Sequence, residues 1–524
     1  LLSARALQEV VDRGTEMPPA ASARPWARLL LSPLATRALR RAERRSTSSD
    51  GNRGARVLVA VASAKSLFLH QPLLRVLAER GHHVTIVFTA RPRFPVELYD
   101  KVKCDVPGVT VAGVLLERTG TWAACVRALL GVFGLGSLVH RRPPANAVPS
   151  WLARYSETVL PGRVRRLGSV MLRVPLAARL LPRAARTIAR LIPSSSSARQ
   201  MVLDQHPDVV AVLPEDEAVA AFESAGSQVD LIGAAESLGI PVIAAAGGCE
   251  MQTQPLALSR ARVMSVWNDE QRRAAVGLGV PKDRLVIAGA LPLERALCED
   301  PVVDEQSFRE MLGLPRDRPF VFYAGSSGLM SEPAEEVELI RAWVRSLRMS
   351  GDPVLRQLAV LIRPSPLGTS RWRQVENEIG GGVVLCPRTF ERSGELDAVL
   401  LPEWVVSAPC TIGADPLALL RAAGLGRPAA LILPPQFATP RDAIPLDYLC
   451  EADGSSVHYV ATPAELSECV CRVLSRSSVP SSDQFRRTYL QGPGLLPAAA
   501  VADCIEKIGA ESCRSRSTIT VERR

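Results

Sequence analysis

Three short segments carry side chains suited to holding a phosphorylated ligand. Gly325-Ser326-Ser327 closes the apolar run Phe320–Ala324, and its small residues let backbone amides approach while two hydroxyls donate. Arg363 ends a second apolar run, immediately before Pro364-Ser365-Pro366, where a guanidinium could grip a phosphate through parallel hydrogen bonds. Asp415 precedes Pro416 and reads as the N-cap of a helix with proline at its first position. Its carboxylate would repel phosphate and suits a ribose hydroxyl instead. Each segment also has a plainer reading: a capped strand-to-helix turn, an ion pair at the surface or between lobes, and a helix cap with no ligand.

Acid–base candidates lie in the first half of the chain. His70 falls early in the helix after the first apolar run, and Glu215, heading Glu215-Asp216-Glu217, directly follows Val209–Pro214. Glu250 follows a third run. The alternatives are a helix-surface histidine and a solvated acidic turn. His82 and His83, in the turn after Gly81, read as structural. No Asp-x-Asp pair stands out, and the eleven Cys are scattered without a CxxC pair or a histidine partner set. A zinc site or a disulfide framework is therefore not expected, and the cysteine usage suits a reducing, cytoplasmic compartment.

These residues need elements to position them. Arg56–Ser63 is a buried-strand run. Leu67, Leu73, Leu74 and Leu77 then recur at helical spacing up to Gly81, and Val84–Thr89 is a second strand. Strand, helix and strand within about 35 residues form a parallel crossover unit. Strands are likewise expected at Val209–Pro214, Pro241–Gly247, Val263–Asn268 and Leu285–Ala290, with a helix around Asp230–Leu238. A second set follows at Pro319–Ser327, Leu358–Pro366, Val383–Pro387, Val405–Cys410, Ala429–Pro434 and Val457–Thr462, with a helix over 332–348. This alternation predicts an α/β protein of two doubly wound Rossmann-like lobes facing a cleft. The expected division is a disordered basic extension at 1–53, an N-terminal acceptor lobe at 54–268, a C-terminal donor-nucleotide lobe at 269–475, and a C-terminal helical segment and tail at 476–524.

Composition bounds the partners. With 524 residues, 47 % hydrophobic and 22 % charged, the chain can fill two cores, and aromatics at 5 % leave that task to Val, Leu, Ile and Ala. The net charge of +10 is concentrated. Residues 1–53 hold ten Arg against five acids, and residues 141–200 hold twelve Arg against one acid, so the remainder is net acidic. No nucleic-acid-binding signature accompanies the arginines, and no nucleic-acid partner is expected. No apolar run reaches the roughly 18–20 residues that span a bilayer. Within an Arg-rich helical insertion at about 141–200, apolar residues over 163–192 recur in steps of three and four between arginines, broken by Pro175 and Pro182. The pattern fits a basic amphipathic surface resting on anionic lipid at the inner face of the plasma membrane. An ordinary helical insertion fits it too.

Several segments resemble a bacterial GT-B-fold glycosyltransferase-like family, related to CDP-glycerol glycerophosphotransferases and surface-polysaccharide glycosyltransferases. They are Val266–Gln271, Gly279–Arg284, Ala288–Ala290, Ser227–Asp230 with Leu238–Pro241, Tyr323–Ser327, Arg341–Trp343, Leu361–Pro364, Gly426–Pro428 and Phe437–Thr439. The resemblance covers roughly residues 54–475. It departs at Ser365, where the family reads His, at Asp415-Pro416-Leu417 and Arg421, where a Thr-Ser pair and an acid precede Gly-Arg-Pro, and at Gly247–Glu250, where it reads Ser-Trp-Asp.

The resemblance implies transfer of a sugar, or secondarily a glycerol-phosphate unit, from a nucleotide donor to a cell-surface polymer or a lipid-linked, glycolipid acceptor. The donor is a substrate, and no cofactor or metal is called for. Such a transfer needs a base near the acceptor, for which His70 and Glu215 are the candidates, and stabilisation of the departing diphosphate. Gly325, Ser326, Ser327, Arg363 and Asp415 are the donor-binding set. Two alternatives stand beside this: a degenerate, catalytically inactive GT-B-like binder, as the changed positions suggest, and a nucleotide-sugar epimerase, which shares the two-lobed fold.

Overall fold

Short runs of Val, Ile, Leu and Ala, apolar at every position, form strands buried on both faces, as a parallel sheet covered by helices requires. The structure, a computed structural model, describes residues 54–62, 64–89, 106, 108–115, 193–214, 218–248, 260–277, 280–298, 305–325, 333–364, 369–379, 382–385, 408–432, 457–475, 485 and 496–521. The basic extension and the Arg-rich stretch over 163–192 lie outside them.

The first lobe opens with β1 (Arg56–Val61), α1 (Ala64–Leu69), α2 (Gln71–Glu79), β2 (His83–Phe88) and β3 (Val109–Val114). It continues with α3 (Ser196–Gln205), β4 (Val209–Leu213), α4 (Ala218–Ser237), β5 (Val242–Ala245), β6 (Val263–Val266), α5 (Asp269–Gly277) and β7 (Leu285–Ile287). Helices α6 (Leu291–Cys298) and α7 (Glu305–Leu312) lead to the second lobe: β8 (Phe320–Ala324), α8 (Pro333–Arg348), α9 (Pro353–Gln357), β9 (Ala359–Arg363), α10 (Thr369–Ile379) and β10 (Val383–Leu385). Then come β11 (Thr411–Gly413), α11 (Pro416–Gly424), β12 (Ala429–Ile432), β13 (Val457–Val460), α12 (Pro463–Leu474) and a final helix α13 (Pro497–Val521).

The strands make two sheets, ordered β3-β2-β1-β4-β5-β6-β7 and β10-β9-β8-β11-β12-β13. Every strand pair in both is parallel. In each sheet the chain first winds outward to one side and then returns to the other. This places a topological switch point between β1 and β4 and another between β8 and β11, where ligands of doubly wound folds bind beyond the carboxyl ends of the strands. The two-lobed α/β expectation is met.

Three details differ from the sequence reading. The first sheet takes in Leu285–Ile287, past the boundary at 268, because this apolar triplet pairs with Met264–Val266. Of the strand expected over Val405–Cys410, only 408–410 lie among the described residues, and they precede the strand Thr411–Gly413; Pro409 has no N–H to give a ladder, and Thr411 N begins one by donating to Pro428 O at 3.1 Å. Finally, β3 was not foreseen. Only its first residue is fully buried, and its register on β2 slips between Ile86 and Val87, where Val111 and then Gly113 are the partners.

The chain end returns to the first lobe. Ala498, Val501, Ala502, Ile505 and Ile508 form one buried stripe of α13 packed with Val57, Val59, Leu73 and Leu77, at the spacing of a helix's core face. Arg80 pairs with Asp503 at 2.6 Å and with Glu506 at 3.3 Å beside it. His82 accepts from Ala55 N at Nδ1 and donates from Nε2 to Glu506 Oε1 at 2.9 Å, which bears out its structural reading. Among the described residues no helix is long and apolar enough to cross a membrane.

Candidate functional site

At the switch point of the second sheet, β8 and β11 end against each other. Ala414 N donates to Ala324 O at 3.2 Å, and Gly325 N donates to Arg363 O at 2.8 Å. Gly413 makes the approach possible: its φ is +145°, and a Cβ there would lie 2.1 Å from Ala324 O. Only glycine tolerates both conditions. The ends of β8, β9 and β11 are thereby locked together, with Gly325, Arg363 and Asp415 at one edge.

Asp415 is the N-cap of α11. Its Oδ1 accepts from Leu417 N at 3.0 Å and Ala418 N at 3.4 Å, while Pro416 contributes no N–H. Its Oδ2 accepts from the Arg363 guanidinium, and the two side chains are only 20 % and 13 % exposed. The capping reading of Asp415 is therefore realised. The ion-pair reading of Arg363 is realised as well, within the lobe rather than between lobes. A helix N-terminus with its amides directed outward attracts anions. At α11 that position is filled by the chain's own carboxylate. Ser326 and Ser327, like Ser365, fall outside the described residues.

One pair at this lobe escaped the sequence reading. Tyr323, on β8, donates its hydroxyl to Glu336 Oε1 at 2.6 Å. Both side chains are fully buried. Glu336 belongs to the first turn of α8, so the helix dipole favours its charge. Burial first, and then the Glu336 charge, push the Tyr323 hydroxyl well above the ordinary tyrosine range. The available signal was an acid early in the helix following a strand that carries a tyrosine.

In the first lobe His70 stands between α1 and α2 as the N-cap residue of α2. It is 1 % exposed, so the helix-surface reading fails; Leu67, Leu73 and Leu74, buried around it in sequence, turn this face inward. Its Nδ1 lies 2.6 Å from Ser66 O. A carbonyl only accepts, so Nδ1 carries a proton, and in the neutral form of the ring the lone pair lies on Nε2. At the carboxyl ends of β1 and β2, Thr89 donates to Val61 O at 3.1 Å and accepts from Gln228 Nε2 at 3.4 Å. Glu215, Asp216, Glu217 and Glu250 lie outside the described residues, so the structure brings none of them to His70.

The segment Val266–Gln271 proves to be a clamp across the ends of β5 and β6. Trp267 Nε1 donates to Ala246 O at 2.8 Å, Trp267 N to Gln271 Oε1 at 2.9 Å, and Gln271 Nε2 to Gly248 O at 3.1 Å. Helix α6 joins the lobes. Glu294 Oε2 accepts from Ala498 N at 2.6 Å, Arg295 stacks on the Phe68 ring, and Leu297 fills the space left by the missing side chain of Gly424.

Two parallel doubly wound sheets, each with its switch point, joined by a helical connection and closed by a C-terminal helix that returns to the first lobe, define a GT-B-type α/β fold. No protein-family model matches the chain, and no curated protein sequence does. Solved structures do match. S. aureus MnaA, solved with UDP, is 11 % identical over 86 % of this chain and 96 % of that one, with a TM-score of 0.52. A provisionally assigned UDP-N-acetylglucosamine 2-epimerase from Listeria monocytogenes is 13 % identical over 87 % and 97 %, also at 0.52. The UDP-N-acetylglucosamine 2-epimerase from Rickettsia bellii is 12 % identical over 87 % and 96 %, at 0.50. At such identities the likeness is one of fold. It reaches the GT-B architecture and not the narrower relation to CDP-glycerol glycerophosphotransferases.

Proposed function

We propose that this protein binds a nucleotide-sugar across the carboxyl edge of its second sheet and transfers the sugar to a hydroxyl of a cell-surface polymer or glycolipid precursor. The observation that carries the binding reading is the convergence of Gly325, Arg363 and Asp415 at the β8–β11 switch point. An acceptor carboxylate beside a donor guanidinium suits a ligand that presents ribose hydroxyls next to phosphates. The name of the S. aureus neighbour's ligand, UDP, makes uridine nucleotides the first to try. His70, with its lone pair on Nε2, is the base proposed for the acceptor hydroxyl.

A second reading is binding without turnover. The Asp415 carboxylate already holds the first amides of α11 and the Arg363 guanidinium, so a diphosphate must find its charge partners elsewhere. The third reading, epimerisation of the sugar at C2, takes its support from the names of the fold neighbours.

Two measurements separate these. A thermal-shift screen against UDP, GDP, CDP and their sugar conjugates should show stabilisation by one nucleotide class; a ligand at about 100 times its Kd adds roughly 2.7 kcal/mol. Absence of any shift in folded protein sinks the binding reading. The stabilising nucleotide-sugar is then followed by NMR in deuterated water, with and without a hydroxyl acceptor. Release of the nucleoside diphosphate supports transfer, deuterium at sugar C2 supports epimerisation, and an unchanged spectrum supports binding alone.

A further inference from the structure

A cleft of about 340 Å³ lies at the opposite edge of the first sheet, where β5, β6 and β7 begin. Its volume falls in the range of small-molecule sites, roughly 300–1,000 Å³. Three arginines line it, Arg260 and Arg262 from the approach to β6 and Arg284 from the turn before β7. The loop Gly239–Val242 forms a largely apolar floor.

The arginines are held in place. Glu236 Oε2 takes the Arg260 guanidinium at 2.7 Å, and that guanidinium lies over Gly233 of α4, where a Cβ would come within 3.4 Å of it. Glu511 of α13 takes Arg262 at 2.8 Å. Arg284 has no carboxylate partner among the described ion pairs, so the cleft retains an excess of positive charge. Helix α4 ends at Ser237, beside Arg260, and the negative end of its dipole accounts for that arginine. It does not account for Arg262 and Arg284.

We infer that this cleft is a second ligand site, distinct from the crevice at the strand carboxyl ends, and that it takes a phosphate-bearing ligand. Guanidinium forks match phosphate oxygens in pairs, and the apolar floor from Ile240 to Val242 takes the group that carries the phosphate. The same chemistry is offered by a free phosphorylated molecule and by an anionic lipid headgroup.

The test uses the full chain with two probes, inorganic pyrophosphate measured by calorimetry and phosphatidylglycerol vesicles measured by co-sedimentation. Wild type and Arg345→Glu, a matched charge reversal on the exposed side of α8, should bind at least one probe equally, and Arg284→Glu should weaken that binding tenfold or more. Loss of the pyrophosphate signal identifies a free phosphate ligand, and loss of the vesicle signal a headgroup. The inference is overturned if wild type binds neither probe, if Arg284→Glu binds as wild type does, or if Arg345→Glu abolishes the binding. Arginine-selective labelling of the wild type, read by mass spectrometry, needs no variant: the bound probe should protect Arg284, and undiminished labelling would overturn the site.

Discussion

Asp415 does two things at once, and mutation can separate them. Asp415→Ala removes the cap of α11, for about 1 kcal/mol, and leaves Arg363, 13 % exposed on its side chain, without that carboxylate. Asp415→Asn keeps an acceptor for Leu417 N and Ala418 N and removes only the charge. Chemical denaturation should therefore rank wild type, then Asn, then Ala. A double-mutant cycle with Arg363→Ala should show a coupling above about 0.5 kcal/mol; additivity would mean the pair holds nothing. Tyr323 gives a pH prediction. Its folded pKa is raised, so its contribution is complete below the unfolded value near 10 and fades as pH climbs toward the folded one. Stability should fall more steeply above about pH 10 in wild type than in Tyr323→Phe. That variant, by removing the hydroxyl that donates to buried Glu336, should start about 1–3 kcal/mol lower at neutral pH. The Asp415 cap was legible because Asp-Pro is a local signal. Its partner Arg363 was not, being 52 residues away, and the Tyr323–Glu336 bond likewise joins residues 13 apart, a spacing that no periodicity registers.

Elements were most legible where the fold buries them on both sides. Val209–Leu213 is buried at every position and could be read as a strand from composition alone. Val109–Val114, with its half-exposed edge and Gly113, offered no such run. Thr411–Gly413 is only three residues long, too short for any pattern, and depends on a backbone approach that needs glycine. Gly413→Ala should accordingly cost roughly 2–4 kcal/mol, from the left-handed φ and the clash with Ala324 O together. Urea titration would measure it, and a cost under about 1 kcal/mol would show that β8 and β11 can part without penalty. The packing of α13 was invisible for another reason: its salt bridge from Asp503 to Arg80 spans 423 residues. Ile505, fully buried in the first lobe's core, should cost about 2–5 kcal/mol when cut to Ala.

At the scale of the whole molecule, the two sheets make two chemically different edges. The carboxyl edge of the second lobe carries Arg363 balanced by Asp415, whereas the amino edge of the first carries three arginines against fewer carboxylates. Raising salt should leave the first pair largely intact, because it is shielded, and should weaken anion binding at the second edge within a Debye length of about 10 Å at 0.1 M. Calorimetry of pyrophosphate across 0.05–0.5 M salt, as approximate limits, would show a steep fall; a flat profile would place the anion somewhere drier.

The return of α13 also sets an order of events at birth. Residues 56–287 contain every strand of the first sheet, yet the stripe that covers part of its core emerges only with residues 498–508. At synthesis rates of about 5–20 residues per second, that interval lasts on the order of ten to forty seconds. For that time the nascent first lobe displays Val57, Val59 and Leu73 without their final cover, while the second lobe is made and folds beside it. A nascent chain in this state is a natural client for holding chaperones, and slowing translation over residues 288–496 should lengthen its dependence on them.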